Sequence, residues 1–222
     1  YKNQHIPNAI FFDLDENSRK NTDLPHMLVD KSDWEKIVSE MGIKNEDTVV
    51  VYDNSDVVSS CRCWFNFIYF GHDPNLVHVL NGGLKKWLKE HKKVTSDFPV
   101  NSNTHYKSFE KKELVKSKKF IDENIISQSF KVVDARSKER FEGKVPEPRK
   151  GLRSGNIKNS FCVPFGDCLN QNGTFKEKEK LREVFSSSLK NLNEKNIVFS
   201  CGSGVTACVL ALAYSLINDK YR

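Results

Sequence analysis

Much of what would place this chain in a specialised class is missing from it. No run approaches the 18–20 apolar residues of a membrane-spanning helix, and residues 1–20 lack the layout of a secretory signal. Six cysteines are present, Cys61, Cys63, Cys162, Cys168, Cys201 and Cys208, yet no two form a Cys-x₂-Cys pair. Zinc-finger and thioredoxin-type sites are thereby excluded, and neither a metal nor a cofactor is expected. Scattered thiols around one reactive cysteine suit a reducing compartment better than a disulfide scaffold. No long stretch has the composition of a disordered segment; the chain is 38% apolar and 29% charged over 222 residues, enough for one large core or two small domains. The net charge of +6 is modest and its lysines are spread over several predicted helices, so no nucleic-acid or membrane partner is expected.

The stretch that is rich in signal is Asn196–Tyr214, NIVFSCGSGVTACVLALAY. Ile197, Val198 and Phe199 predict a short apolar strand, and the Ala- and Leu-rich run from Ala207 to Leu216 predicts a buried helix. Between them lies a tight loop, Cys201-Gly202-Ser203-Gly204-Val205-Thr206, with two glycines free to adopt positive φ. A cysteine leaving a strand just before a helix can receive several backbone N–H groups, and the helix dipole favours an anion there. Alone, such a cysteine reads most simply as a buried apolar filler. With Gly-Ser-Gly behind it and a helix following, it reads as a nucleophile that can also hold an attached anion.

Strand and helix patterns alternate over the rest of the chain. Helices are predicted from Ser32 or Asp33 to Met41, Ser59 to Phe70 and Leu84 to Glu90, with strands at Asp47–Asp53 and Leu76–Leu80 and a short one in His5–Phe12. Lys92 to Tyr106 loses the pattern and reads as a linker. Beyond it the sequence predicts a charged helix in 109–120, strands at Phe130–Ala135 and Phe161–Phe165, a short helix from Ser137, and a helix over Glu177–Leu189. This spacing is that of βα units.

The two halves repeat. HIPNAIFF at 5–12 corresponds to NIKNSFCV at 156–163; Asp53 closes VVVYD 47 residues after Ile6, and Cys201 closes IVFSC 44 residues after Ile157. The division expected is 1–105, a non-catalytic domain plus the start of a linker, and 106–222, a catalytic domain. Asp53 stands where the thiol would be in the first copy, so one active site per chain follows. Aligning the copies further predicts a chain lacking a strand at the front and a strand plus helix at the back, both ends being truncated.

CGSGVTAC at 201–208 resembles the active loop of two-domain rhodanese-family sulfurtransferases, most closely those acting on 3-mercaptopyruvate. HIPNAIFF with Asp13 and Asp15, His26-Met27-Leu28, VLNGGLKKWL at 79–88, VVDAR at 132–136, RFEG at 140–143 and Pro146-Glu147-Pro148-Arg149 add to the likeness over essentially the whole chain. The resemblance implies an α/β fold of two tandem rhodanese-like domains, each a central, mainly parallel sheet flanked by helices. It implies that Cys201 takes sulfur from 3-mercaptopyruvate as a persulfide cradled by Gly202, Ser203, Gly204, Val205 and Thr206, releases pyruvate, and passes the sulfur to a thiol, cyanide or a protein. Arg140 and Arg149 are implied to grip the 2-oxo acid, for which a rigid guanidinium fork is suited. Arg62 reads as structural, and Lys150 and Arg153 as contributing only positive field. Asn156 departs from the His usual in the family at a Gly-His-Ile-Pro turn, a change expected to affect the turn and not the chemistry.

Releasing pyruvate leaves an enolate to be protonated, and Ser203, His26 and Asp15 are the implied relay, Asp15 orienting the imidazole and His26 serving Ser203. The partners expected are a small-molecule donor and a thiophilic acceptor, thioredoxin among the candidates, with the chain a monomer or weak dimer in the cytoplasm, or in a mitochondrion if the source is eukaryotic. Two alternatives remain: a thiosulfate sulfurtransferase, and a non-enzymatic persulfide carrier or sulfur-relay binding protein. The resemblance favours mercaptopyruvate over thiosulfate, because relatives specialised for the latter carry cations in the loop where Gly202 and Ser203 are neutral. A carrier has no need of an arginine pair. A Cys-x₅-Arg phosphatase loop is disfavoured because the residue six beyond Cys201 is Ala207.

Overall fold

The computed structural model describes residues 1–189, 192 and 196–218 and divides into two units, residues 1–112 with 172–174, and residues 113–171 with 175–222. Residues 219–222 of the expected catalytic domain lie outside the described residues. Among the described residues no helix is long and apolar enough to cross a membrane.

The first unit runs α1 (Lys31–Glu40), β1 (Val49–Val51), α2 (Ser60–Tyr69), β2 (Val77–Val79) and α3 (Gly83–Lys89). β1 and β2 are parallel, with Val49 opposite Val77 and Val51 opposite Val79. Three consecutive valines make β1 because β-branched side chains pack well on a pleated surface. The core forms where the helices' apolar faces meet: Trp34 and Val38 of α1 and Phe67 and Phe70 at the end of α2 are all but fully buried. Trp34 stacks on Phe70 with ring centroids 4.8 Å apart. Each such aromatic contributes on the order of 1.5–3 kcal/mol by leaving water.

Two expectations in this half differ from the structure. The strand expected within His5–Phe12 is not formed; His5 alone bridges Thr95, and Asn8 turns the chain with φ of 64°. A strand needs a neighbour, and Ala9–Asp13 have no ladder to join. Lys92–Tyr106, read as a linker, packs on its unit: Thr104 donates to the carbonyl of Ile43 at 2.6 Å, and Tyr106 is buried with its hydroxyl 3.0 Å from His72 Nδ1.

The second unit runs α4 (Lys118–Ser127), β3 (Lys131–Asp134), α5 (Lys138–Phe141), β4 (Phe161–Cys162), α6 (Lys178–Ser186), β5 (Ile197–Ser200) and α7 (Val205–Ser215). Its sheet is parallel, in the order β4-β3-β5. The middle strand carries Val132 and Val133, both buried, as a strand covered on both faces requires. The charged helix expected over 109–120 is displaced. Phe109 and Lys111 pair with the backbone of Phe70 and Tyr69, Lys112–Leu114 is a single 3₁₀ turn, and the helix starts only at Lys118. Phe109, Leu114 and Val115 are exposed, so a helix there would bury no apolar face. α7 by contrast is buried along nearly its whole length, Val209, Leu210, Ala213 and Tyr214 completely. It packs beside β5, where Tyr214 meets Phe199 and Phe185 at centroid distances of 5.8 and 5.2 Å.

In this register Asp134 lies opposite Cys162 on one side and Ser200 on the other. The carboxyl ends of all three strands are therefore level, and Cys201 follows immediately. In open parallel sheets that edge is where ligands bind.

Candidate active site

Cys201 leaves β5 half-buried, and the chain turns through Gly202 and Ser203 to Gly204, whose φ of 79° is left-handed and belongs to glycine. That turn aims the Gly204 N–H at Cys201 Sγ, 3.1 Å away, and starts α7 at the next residue. The carbonyl of the same residue, in the next peptide, is fixed by Cys208 one helical turn on, its thiol donating to the Gly204 carbonyl at 3.0 Å. An N–H held on the sulfur, at the amino end of an eleven-residue helix, stabilises negative charge on a thiolate or on the outer sulfur of a persulfide.

Two arginines flank the loop. Arg149 donates from Nη2 to the Gly202 carbonyl at 2.5 Å. Arg140, on α5, passes so close that a β-carbon at Gly202 would stand 3.3 Å from its Nη2. Glycine at 202 thus admits the guanidinium. Sequence reasoning missed what holds Arg140 there. Glu147 accepts from its Nε and Nη2 at 3.2 and 2.5 Å, and from Arg136 Nη1 at 2.6 Å. These hydrogen bonds and positive charges hold the Glu147 carboxyl below the usual range, Arg140 contributing most. The only trace in sequence was an acid set between prolines just before Arg149. Asn156 donates to the Phe141 carbonyl at 3.0 Å where α5 ends. Arg153 donates to the backbone carbonyls of Ser154 and Asn156.

In the first unit Asp15 and His26 are brought together, His26 Nε2 lying 2.8 Å from Asp15 Oδ1. A carboxylate only accepts, so Nε2 carries the hydrogen of this bond. Nδ1 makes no hydrogen bond among the described residues. His26 holds a left-handed backbone, φ 58°, and Arg62 explains why it can: from α2, buried, it donates to the His26 carbonyl at 2.6 Å and to Asn66 Oδ1 at 2.9 Å. Ser203 belongs to the second unit, with the Cys201 loop.

Asp53 occupies the position that Cys201 has in the second copy, and the local construction is the same in kind. Its carboxylate accepts from the N–H groups of Ser55 and Ser59 at 3.2 and 2.9 Å and from the hydroxyl of Ser60 at 2.9 Å. The Asp53 loop thus gathers several donors on its carboxylate, where Cys201 Sγ receives the Gly204 N–H. The remaining cysteines differ from Cys201. Burial pushes the thiols of Cys63 and Cys168 up to about 12 and that of Cys162 up to about 11. Cys61 and Cys208 are buried.

The sequence pattern of the rhodanese-like domain matches residues 1–90 and 117–220. The chain belongs to the rhodanese family, and its two α/β units are tandem rhodanese-like domains. It is 38% identical over 233 residues to the mitochondrial thiosulfate/3-mercaptopyruvate sulfurtransferase 1 of Arabidopsis thaliana, covering 96% of this chain and 61% of that protein. It is 36% identical to the 3-mercaptopyruvate sulfurtransferase of Homo sapiens, covering 96% of this chain and 71% of that protein. The crystal structure of SseA, a 3-mercaptopyruvate sulfotransferase of Escherichia coli, superposes with a TM-score of 0.87 at 28% identity, over 98% of this chain and 80% of that one. The chain thus spans about three-fifths to four-fifths of the length of these relatives.

Proposed function

We propose that this chain carries the sulfur-transferring site of an enzyme that moves sulfur from 3-mercaptopyruvate to a thiophilic acceptor. The observation that carries the reading is the Gly204 N–H on Cys201 Sγ, in a loop whose Gly202 carbonyl is held by Arg149 and whose flank is Arg140. The Cys201 thiolate attacks the donor sulfur. A sulfur–sulfur bond forms, the bond from that sulfur to C3 of the donor breaks, and its electron pair stays on the three-carbon fragment as the pyruvate enolate, which takes up a proton. The acceptor then attacks the outer sulfur of the persulfide, and the electrons of the broken S–S bond return to Cys201 as thiolate. The Gly204 N–H serves both halves, since negative charge rests on sulfur before and after each.

Mercaptopyruvate is preferred to thiosulfate on this reading because Gly202 and Ser203 bring no charge to the loop. The positive charge comes instead from Arg140 and Arg149, whose planar forks suit a carboxylate with a neighbouring carbonyl. The Arabidopsis relative, named for both donors, keeps the thiosulfate reading as the second one. Measuring kcat/KM for the two donors on one preparation separates them: mercaptopyruvate is expected to be favoured by at least about tenfold, and an equal or higher value with thiosulfate rejects the preference.

The proton for the enolate is assigned to Ser203, His26 and Asp15. The bond from Nε2 to Asp15 Oδ1 at 2.8 Å orients the imidazole, a ring that can carry a proton between an acid and a base. His26→Ala and Ser203→Ala are each expected to lower kcat with mercaptopyruvate about 100-fold and to lower it much less with thiosulfate, which leaves no enolate. Equal losses on both donors remove the relay. The acceptor is a small thiol, cyanide or a protein thiol such as that of thioredoxin, in the reducing setting of a cytoplasm or mitochondrion.

A further inference from the structure

The donor grip leaves one buried charge without a role. Glu147 has a side chain only 4% exposed, on an excursion between α5 and β4, and a carboxylate so enclosed is tolerated only when paired. Its pairing is asymmetric in purpose. Toward the sheet, Oε1 accepts from Arg136 Nη1 at 2.6 Å. Arg136 is itself pinned by both oxygens of Asp134, at 2.6–3.0 Å, and by the Gly155 carbonyl at 2.8 Å. Asp134 is the last residue of β3, in register with Ser200. Toward the loop, Glu147 takes the Nε and one Nη2 hydrogen of Arg140. A line of charge-assisted bonds therefore runs from the end of the central strand through Arg136 and Glu147 to Arg140. It uses two of the five guanidinium donors and leaves three.

Arg140 needs such a line. Its helix, α5, is only Lys138–Phe141, its side chain is 27% exposed, and a free arginine loses rotamer entropy on binding an anion. With one edge of the fork tied to Glu147, the cost is met on folding.

We propose that Glu147 is a positioning residue for the sulfur-loading half of the reaction: it clamps one edge of Arg140 so that the other edge faces an anionic donor beside Cys201. The proposal rests on the reading of Arg140 as a donor-gripping residue; Glu147 itself touches no substrate. It acts on loading alone, because discharge of a formed persulfide involves no donor carboxylate.

The test is to measure the two halves separately in Glu147→Gln, which keeps the shape and removes the charge, and in Glu147→Asp, which keeps the charge and shortens the reach. Loading is followed in single turnovers with mercaptopyruvate, and discharge by mixing the purified persulfide form with dithiothreitol. Both variants are expected to need about 10- to 30-fold more donor for half-maximal loading, the equivalent of one charge-assisted hydrogen bond. The maximal loading rate is expected within about threefold and discharge within about twofold of the parent protein. Slowing of loading and discharge in proportion, or an unchanged donor requirement in a folded variant, overturns the proposal. If Glu147→Gln does not fold, Glu147→Asp decides on the same readouts. Arg140→Met tells the proposal apart from the reading beneath it. If that variant loads at parental donor concentrations, the assignment of Arg140 fails. If it does not, Glu147→Gln added to Arg140→Met is expected to cause no further loss of donor affinity, and a further tenfold loss sinks the positioning role.

Discussion

Cys201→Ser is expected to reduce sulfur transfer by more than about 10⁴-fold while leaving the fold and its melting temperature close to those of the parent protein. A serine oxygen can accept the Gly204 N–H as the sulfur does, so the loop has no reason to rearrange. It cannot form the sulfur–sulfur bond on which both half-reactions depend. The same experiment can be read by mass: donor treatment is expected to add about 32 Da, one sulfur atom, to Cys201 and to no other residue. The other thiols are withheld by their surroundings. Because burial raises the thiol of Cys162 to about 11 and those of Cys63 and Cys168 to about 12, their thiolates form only as the pH climbs toward those values. Between about pH 7 and 9 they stay protonated, and native-state alkylation in that range is expected to mark Cys201 and to be blocked by prior loading. An increment found mainly on Cys162 or Cys208 would falsify the assignment.

The parts of this molecule that were legible in the sequence are those decided by near neighbours. The run NIVFSCGSGVTACVLALAY states its own structure: an apolar strand, two glycines for the turn, and a helix apolar on all sides. β1, α2, β2 and α3 came at their expected places for the same reason, with Gly71 following α2 and Gly82 preceding α3. Failures came where the decision is made elsewhere in the chain. Ile6–Phe12 has the apolar content of a strand, but only His5 finds a bridge partner, Thr95, and no local pattern encodes a missing neighbour. The stretch 109–120 has helical spacing without a face to bury, and its first residues pair instead with the end of α2.

The site divides along the same line. Cys201 and its loop are contiguous, so the strand end, the left-handed Gly204 and the helix start can be read from residue type and spacing. Glu147 was quoted only as one letter of Pro146-Glu147-Pro148-Arg149, because its importance lies in joining Arg136 to Arg140, and its link to the sheet comes from the register of β3. Arg62 was read as structural and is so, but the carbonyl it holds belongs to His26, 36 residues away. Asp53 was set aside as unable to act as a nucleophile. The structure shows its carboxylate held by the N–H groups of Ser55 and Ser59 and the hydroxyl of Ser60, contacts that its position at a strand end did not spell out.

Replacing the arginines beside the loop is expected to have the next largest effect. If Arg140 and Arg149 grip the donor's carboxylate and neighbouring carbonyl, removing either fork removes two charge-assisted hydrogen bonds, about 3–4 kcal/mol or roughly 10²–10³ in kcat/KM for mercaptopyruvate. Lysine keeps the charge and loses the fork, so Arg140→Lys and Arg149→Lys separate field from geometry. Each is expected to recover at most about a tenth of the parental kcat/KM. The two positions differ in a way the structure anticipates. Arg149 also donates to the Gly202 carbonyl, so Arg149→Met loosens the residue after the nucleophile and is expected to lower the maximal loading rate as well as donor affinity. The side-chain hydrogen bonds of Arg140 go to Glu147, so Arg140→Met is expected to act mainly on donor affinity. Saturation curves for loading by mercaptopyruvate resolve the two quantities. Lysine variants within about threefold of the parent protein would reduce the pair to a diffuse positive field, and methionine variants within the same margin would remove both residues from the donor site.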